Sequence, residues 1–190
     1  AIEIQRSAAL TIVEDKEIDF ASDRLRPYMR VETDRGRLIY PLGIYLMSSP
    51  ARQALGGIIK RTVECYDKTQ ILRDDRFDSR YTVSKDTAYT AAVVNILSSA
   101  GIASSDIIPS VLETETAIEF PIGTSKLDAC NALLAAINYY PIYADSFGQF
   151  RSRPYELPDG RSIDAFYATD KNSIIQPGAQ EELDIFGAPN

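Results

Sequence analysis

The chain contains no histidine, no tryptophan and only two cysteines, and it has no long apolar run. Each absence removes a class of chemistry. Nucleophilic catalysis by Ser or Cys needs a base beside the nucleophile, and without His that base must be Lys or a carboxylate. No Lys follows a Ser by three positions. There is also no Gly-x-Ser-x-Gly elbow, no phosphate-cradling glycine loop ahead of a Lys and no calcium loop with spaced acids. A transition-metal site would have to be built from Cys and carboxylates alone. Cys65 and Cys130 fall in separate predicted elements, a strand and a helix, and each follows an apolar pattern, so both read as buried, reduced thiols. No catalytic, cofactor-binding or metal-binding residue is assigned, and no cofactor is expected. A bilayer span takes about 20 apolar residues, far more than blocks such as ALLAAI at 132–137, so no membrane span is expected. The opening AIEIQRSAAL has neither a basic start followed by an apolar block nor an initiator Met, which suggests a piece of a longer protein.

What is present is enough for a core. The 190 residues are 45% hydrophobic, sufficient for one large or two small globular domains. The formal net charge is −7 and it is spread unevenly. Residues 1–85 hold 15 Lys and Arg against 13 Asp and Glu, whereas residues 86–190 hold 5 against 14. That balance argues against nucleic-acid binding by the second part. Arg24, Arg26, Arg30, Arg35 and Arg37 form a local basic stretch, but the interleaved Asp23, Glu32 and Asp34 favour a solvated strand face.

The first seventy residues read as β. SAALTIVED, RLRPYMRVE, RLIYPLGIYLMSS and IIKRTVECYD are extended runs rich in branched or aromatic residues, separated by turn chemistry at 34–36, at Pro50 and at Gly56 with Gly57. Their spacing predicts an antiparallel sheet curling into a sandwich or barrel. Leu25, Tyr28 and Met29 do not alternate cleanly, so a bulge or edge is expected near Pro27. From Asp67 the character changes to a short helical or turn segment leading to a strand at 80–83. Tyr89, Ala92, Val93, Ile96, Leu97 and Ala100 then recur at helical spacing, with Asp86 as candidate cap and Gly101 as stop. One or two short strands should lie within 107–120. Ser125 and Asp128 have the spacing of a helix-start capping pair ahead of Leu127, Cys130, Leu134 and Ile137, and this helix should end near Asn138 because Pro141 cannot continue it. Residues 142–144 and 149–153 flank Asp145, Ser146, Phe147 and Gly148 as a hairpin. The expected fold is α+β: an antiparallel β barrel or sandwich over residues 1–68, an α/β insert with two helices and a hairpin over 69–157, and an extended return segment over 158–190.

Paired carboxylates remain as a possible source of chemistry, since glycoside hydrolysis needs only two acids in reach of one bond. Asp74, Asp75 and Asp78 are one group, and Glu113, Glu115 and Glu119 another. The first reads as a solvated turn neutralised by Arg73, Arg76 and Arg80, the second as an edge strand with alternate residues in water. Eleven Tyr could line a carbohydrate surface, yet Tyr28, Tyr40, Tyr45, Tyr66 and Tyr81 fall on predicted strands and read as half-buried sheet residues.

Four ordered blocks, IYPLGIYLMSSPARQ, IKRTVECYDKTQILRDDRFDSRYTV, FPIGTSKLDACNALLAAINYYPIYADSFGQFRSRPYELP and EELDIFGAPN, make the chain resemble the N-terminal hub region of phage and prophage tail-tip or baseplate proteins, the family that includes tail-associated lysins and endopeptidase tails. The resemblance covers roughly residues 20–190. It implies a virion structural role without catalysis: β tube-like domains with α/β insertions, three copies closing a ring that continues the tail tube. The implied partners are further copies of the chain, a distal tail or tube protein on one side and a fibre, needle or lytic domain on the other, with DNA passing transiently through the channel. The location implied is the tail tip of a virion assembled in a bacterial cytoplasm. The acidic bias would then suit a channel wall that must not hold phosphate. Two other readings compete. A host-surface carbohydrate-binding domain would use Tyr143, Phe147 and Phe150 as a platform, and a cell-wall hydrolase would use the Asp74, Asp75 and Asp78 group.

Overall fold

The computed structural model describes residues 6–13, 18–48, 50–55 and 58–162. The fold divides at Tyr155: the residues up to it belong to one unit, and those from Glu156 onward to another. Of the second unit only residues 156–162 are described, and they contain one turn of 3-10 helix, Pro158–Gly160. The return segment expected over 158–190 therefore lies almost wholly outside the described residues.

The first unit begins with an antiparallel sheet built around one long strand. Strand β1 (Ser7–Val13) is followed by β2 (Arg24–Leu25), the hairpin β3 (Tyr28–Thr33) and β4 (Gly36–Pro41), then β5 (Tyr45–Met47), β6 (Ala51–Leu55) and β7 (Ile58–Asp67). β7 pairs with β1 along one edge and with β6 and then β5 along the other, while β2 adds to β5. Met47 faces Cys65 and Ala51 faces Thr62, so the β5–β6 side carries one residue more than β7 over this interval. That surplus is a β-bulge, and it falls at Pro50, whose missing amide hydrogen suits a break in the ladder. The inward residues of β7, Val63 and Cys65, face Leu10 and Ala8 of β1 across the ladder. With Tyr45 they form a small buried cluster, flanked by the partly buried Leu10, Ile12, Phe20, Leu25 and Met47. The described strands form open sheets rather than a closed barrel.

The second half of the unit holds the larger core. Helix α1 (Thr69–Asp74) leads to β8 (Tyr81–Val83), helix α2 (Tyr89–Ser99), β9 (Ser105–Ile107), β10 (Ile118–Phe120), helix α3 (Lys126–Ala136) and the strands β11 (Tyr143–Ala144) and β12 (Phe150–Ser152). α2 buries Ala92, Val93, Ile96 and Leu97 against Leu127, Cys130, Leu133 and Leu134 of α3, and Phe150 closes the cluster from β12. The helix registers follow the apolar periodicity. At the start of α3, Ser125 Oγ accepts from the Asp128 amide at 3.0 Å and donates to Asp128 Oδ2 at 2.6 Å, the capping pair expected from the sequence.

One expectation needs correction. Asp86 does not cap α2: the residue before the helix is Ala88, with no side-chain cap. Asp86 instead turns at φ 59 and gives its amide to the Thr114 carbonyl at 2.8 Å. The strands of this half form two separate sheets. β10 pairs with β8, while β12 takes β11 on one side and β9 on the other, the latter in parallel. Parallel pairing joins residues far apart in sequence, and no local pattern announces it.

Candidate assembly surface

The β3–β4 hairpin forms a two-stranded sheet of its own, separate from the main sheet. Asp34 and Arg35 make a two-residue turn that Gly36 closes at φ 123, and Thr33 Oγ donates to the Gly36 carbonyl at 2.7 Å. At its root, the Leu42 amide donates to the Pro27 carbonyl at 3.0 Å. The Arg26 guanidinium lies 5.4 Å from the Tyr28 ring centre and 5.7 Å from that of Phe147, tying the hairpin to the β11–β12 turn. The arm thus has a fixed base, and among the described residues its two outer strand edges pair with no other strand.

Its register sorts the side chains onto two unlike faces. Tyr28, Arg30, Glu32, Arg37 and Ile39 share one face, where Arg37 Nε meets Glu32 Oε1 at 2.7 Å. Met29 and Val31, opposite Tyr40 and Leu38, make the other face. All four are exposed, at 49%, 37%, 46% and 46% respectively. Each would gain roughly 1 kcal/mol or more from being covered, and a lone two-stranded hairpin is only marginally stable in water. The arm is therefore a surface that another molecule can stabilise.

A second surface presents apolar groups on a firmly held backbone. Within residues 109–115, the buried Thr114 donates from Oγ1 to the Ser84 carbonyl at 2.8 Å and accepts the Thr87 amide at 3.2 Å. The Leu112 carbonyl accepts from the Tyr89 amide at 3.1 Å. The Ser110 amide reaches Thr90 Oγ1 at 3.2 Å, and Tyr139 OH reaches the Pro109 carbonyl at 3.3 Å. Despite this anchoring, Val111 is 94% exposed and Leu112 is 52% exposed, with Glu113 and Glu115 exposed beside them.

The candidate carboxylates have structural work. Lys126 Nζ, on a side chain only 10% exposed, meets Asp75 Oδ2 at 2.7 Å and the Ser99 carbonyl at 3.0 Å. Asp75 is thus balanced by a Lys from α3. Arg76 donates to the Gly123 carbonyl at 2.8 Å and Arg80 pairs with Glu119 at 3.1 Å. Asp74 accepts from Gln70 Nε2 at 2.8 Å, and Asp78 accepts from Ser79 Oγ at 3.3 Å. Glu113 and Glu115 lie on the anchored segment, apart from Glu119 on β10. Among the described residues no group of three Cys, Asp or Glu is arranged to hold a metal ion.

The aromatic platform also fails to form, because Phe150 is fully buried while Phe147 stands 63% exposed at the turn tip. Lys68 Nζ lies 5.4 Å from the Phe150 ring centre and donates to the Gly148 carbonyl at 2.8 Å. Burial, and then Arg24, push its pKa down, partly offset by Asp145. The cysteines are both buried thiols, and burial raises the pKa of each, that of Cys130 to about 12. Sequence reading took the arginine stretch for a solvated face and missed the apolar face behind it. The signal was present in the alternation of YMRVET against GRLIYP, but only the pairing register reveals which residues stack. For Val111 no sequence signal existed.

No protein-family model matches the chain, and no curated protein matches it in sequence. Solved structures do share its fold. A tail protein from Neisseria meningitidis MC58 superposes over 77% of this chain with a TM-score of 0.56 at 11% identity. The 43 kDa tail protein of prophage MuSo2 from Shewanella oneidensis superposes over 77% with a TM-score of 0.51 at 13% identity. The matched regions span 41% and 43% of those two chains, less than half of each. At such identities the likeness is one of fold.

Proposed function

We propose that the chain is a structural part of a phage or prophage tail, acting at the tail-tip or baseplate hub, where copies form a ring that continues the tail tube and seats neighbouring tail proteins. The observation that carries this reading is the β3–β4 arm, a fixed hairpin whose apolar face has no cover among the described residues of its own chain. Such a face is what an assembly component keeps for its partners. The shared fold with two tail proteins supplies the biological setting. In this reading the open main sheet becomes part of a tube-like wall completed by other copies, three in number. A distal tail or tube protein lies on one side, and a fibre or lytic domain on the other. DNA crosses the channel transiently, and the surplus of acids after residue 85 disfavours phosphate capture. The chain contributes no catalysis, and it resides in the virion after synthesis in the bacterial cytoplasm. The carbohydrate-platform reading loses its support with Phe150 in the core, and the hydrolase reading loses its support with Asp75 bound to Lys126.

Immunogold labelling of intact virions or induced prophage particles, with an antibody against this chain, tests the proposal. Label confined to the distal end of the tail is expected. Particles that lack the protein on blots and carry no label would overturn it.

A further inference from the structure

A cleft of about 450 Å³ opens between α1, the 100–104 loop and the turn that joins β11 to β12, with Lys68, Ile71, Ile102, Ser104, Phe147 and Gln149 in its lining. That volume lies within the range of ligand-binding clefts. Both walls are held before anything enters. The Gly101 amide donates to the Ser98 carbonyl and the Ile102 amide to the Leu97 carbonyl, each at 3.0 Å, which pins the loop to the end of α2. On the other side, the Asp145 amide donates to the Gln149 carbonyl at 2.9 Å and the Gly148 amide to the Asp145 carbonyl at 3.0 Å. Little ordering entropy is therefore lost on binding.

The charge inside is unbalanced. Lys68 is half-buried and makes no ion pair among the described residues. Asp145, the acid that acts on it, is already engaged: Oδ1 accepts the amides of Phe147 and Gln149, and Oδ2 meets Arg151 Nε at 3.0 Å. Arg24 acts on Lys68 with the same sign of charge, and the Arg26 guanidinium stands 5.7 Å from the Phe147 ring centre. A partly desolvated cation without a counter-ion is costly, and an entering carboxylate removes that cost.

We infer that this cleft binds an acidic peptide segment, placing a Glu or Asp carboxylate on Lys68 Nζ and an apolar neighbour of that residue against Phe147. Positive charge selects an acidic segment over a neutral or basic one. The exposed Phe147 ring, with Ile71 and Ile102, calls for an apolar cover that a bare anion lacks. The strand that leaves this cleft, β9, starts at Ser105, and its second edge pairs with no strand among the described residues, a place for an extended chain rather than for a free anion.

Titration of the whole 15N-labelled chain, followed by amide chemical shifts, tests the site. The probes are blocked pentapeptides with a central Glu flanked by Leu or Phe, the same peptides with a central Gln, and inorganic phosphate and hexanoate. The Glu peptides should shift the amides of Gly101, Ile102, Ser104, Phe147 and Gln149, and the Gln peptides should bind about tenfold more weakly. Lys68→Met keeps an apolar stem and removes the charge, so it should weaken the Glu peptides about tenfold and leave the Gln peptides unchanged. Phe147→Ala changes an exposed turn tip, outside the buried core, and should weaken both peptides about threefold. Equal binding of Glu and Gln peptides would overturn the pairing of an anion with Lys68. Hexanoate or phosphate bound as tightly as the Glu peptides would overturn the peptide in favour of a free anion. Absence of any shift with the Glu peptides would refute the site. The tail reading is tested separately, because gold labelling of tail tips reports location and does not depend on what this cleft binds.

Discussion

At Gly148 the backbone takes φ 76, and a Cβ built there would lie 2.8 Å from Ile44 Cδ1 and 3.0 Å from Lys68 Cδ. Both the left-handed backbone and the close approach call for glycine. Gly148→Ala should therefore lower stability by about 1–3 kcal/mol, read from the midpoint of urea unfolding. The position matters beyond its own turn, because the Gly148 carbonyl receives Lys68 and so joins the end of β7 to the β11–β12 hairpin. Cys130 sets a different constraint. Its thiol is held near pKa 12 by burial, against an ordinary 9.0. The unfolded chain ionises this group first, so its contribution to stability is full below pH 9 and is lost as pH rises towards 12. The slope from this one group is about 1.4 kcal/mol per pH unit. Urea titrations at several pH values should thus show the gap between the parent chain and Cys130→Ala narrowing across that window. A gap that stays constant would contradict a buried neutral thiol.

At the scale of elements, α3 carries the clearest local code. Ser125 caps it and pairs with Asp128, so Ser125→Ala should cost about 1 kcal/mol, measurable by thermal or urea unfolding. That start was legible because capping depends on residues three apart. The apolar stripes of α2 and α3 were legible for the same reason, and so was the Asp145 turn, whose carboxylate accepts the amides of Phe147 and Gln149 at 2.9 Å. Asp86 misled because an Asp ahead of an apolar stripe has the composition of a cap, while its actual role is set by Thr114, well along the chain. The run RLIYPLGIYLMSS read as one strand, yet it divides between the arm and the main sheet: Pro41 ends β4 and Gly43 turns at φ 140. Sheet closure was illegible for a related reason. Alternation tells which residues share a face, but not whether the last strand meets the first. The carboxylates were read as neutralised by the arginines of their own segment; the Lys126 that pairs with Asp75 was not foreseen, since it reaches Asp75 only after α3 has packed on α1. Removing the acid should expose that dependence. Asp75→Asn leaves a mostly buried ammonium without its counter-charge and should cost about 1–3 kcal/mol, more than the same change at the exposed Asp78.

For the whole molecule, apolar surface is divided between two uses that a pair of substitutions can separate. Leu134 is fully buried between α2 and α3, and Leu134→Ala should cost about 2–5 kcal/mol of folding stability through the cavity it leaves. Leu38 is 46% exposed on the arm, so Leu38→Glu should change the folding stability of the isolated chain by only about 0.5 kcal/mol. The same Leu38→Glu change should abolish self-association, measured by sedimentation velocity over a range of concentrations. If Leu38→Glu instead unfolded the isolated chain, the arm's apolar face would belong to the chain's own core and not to a partner. The contrast follows from geometry. A hairpin that pairs only with itself adds little to the stability of the fold that carries it, so four apolar side chains on one of its faces gain their free energy only when another surface meets them.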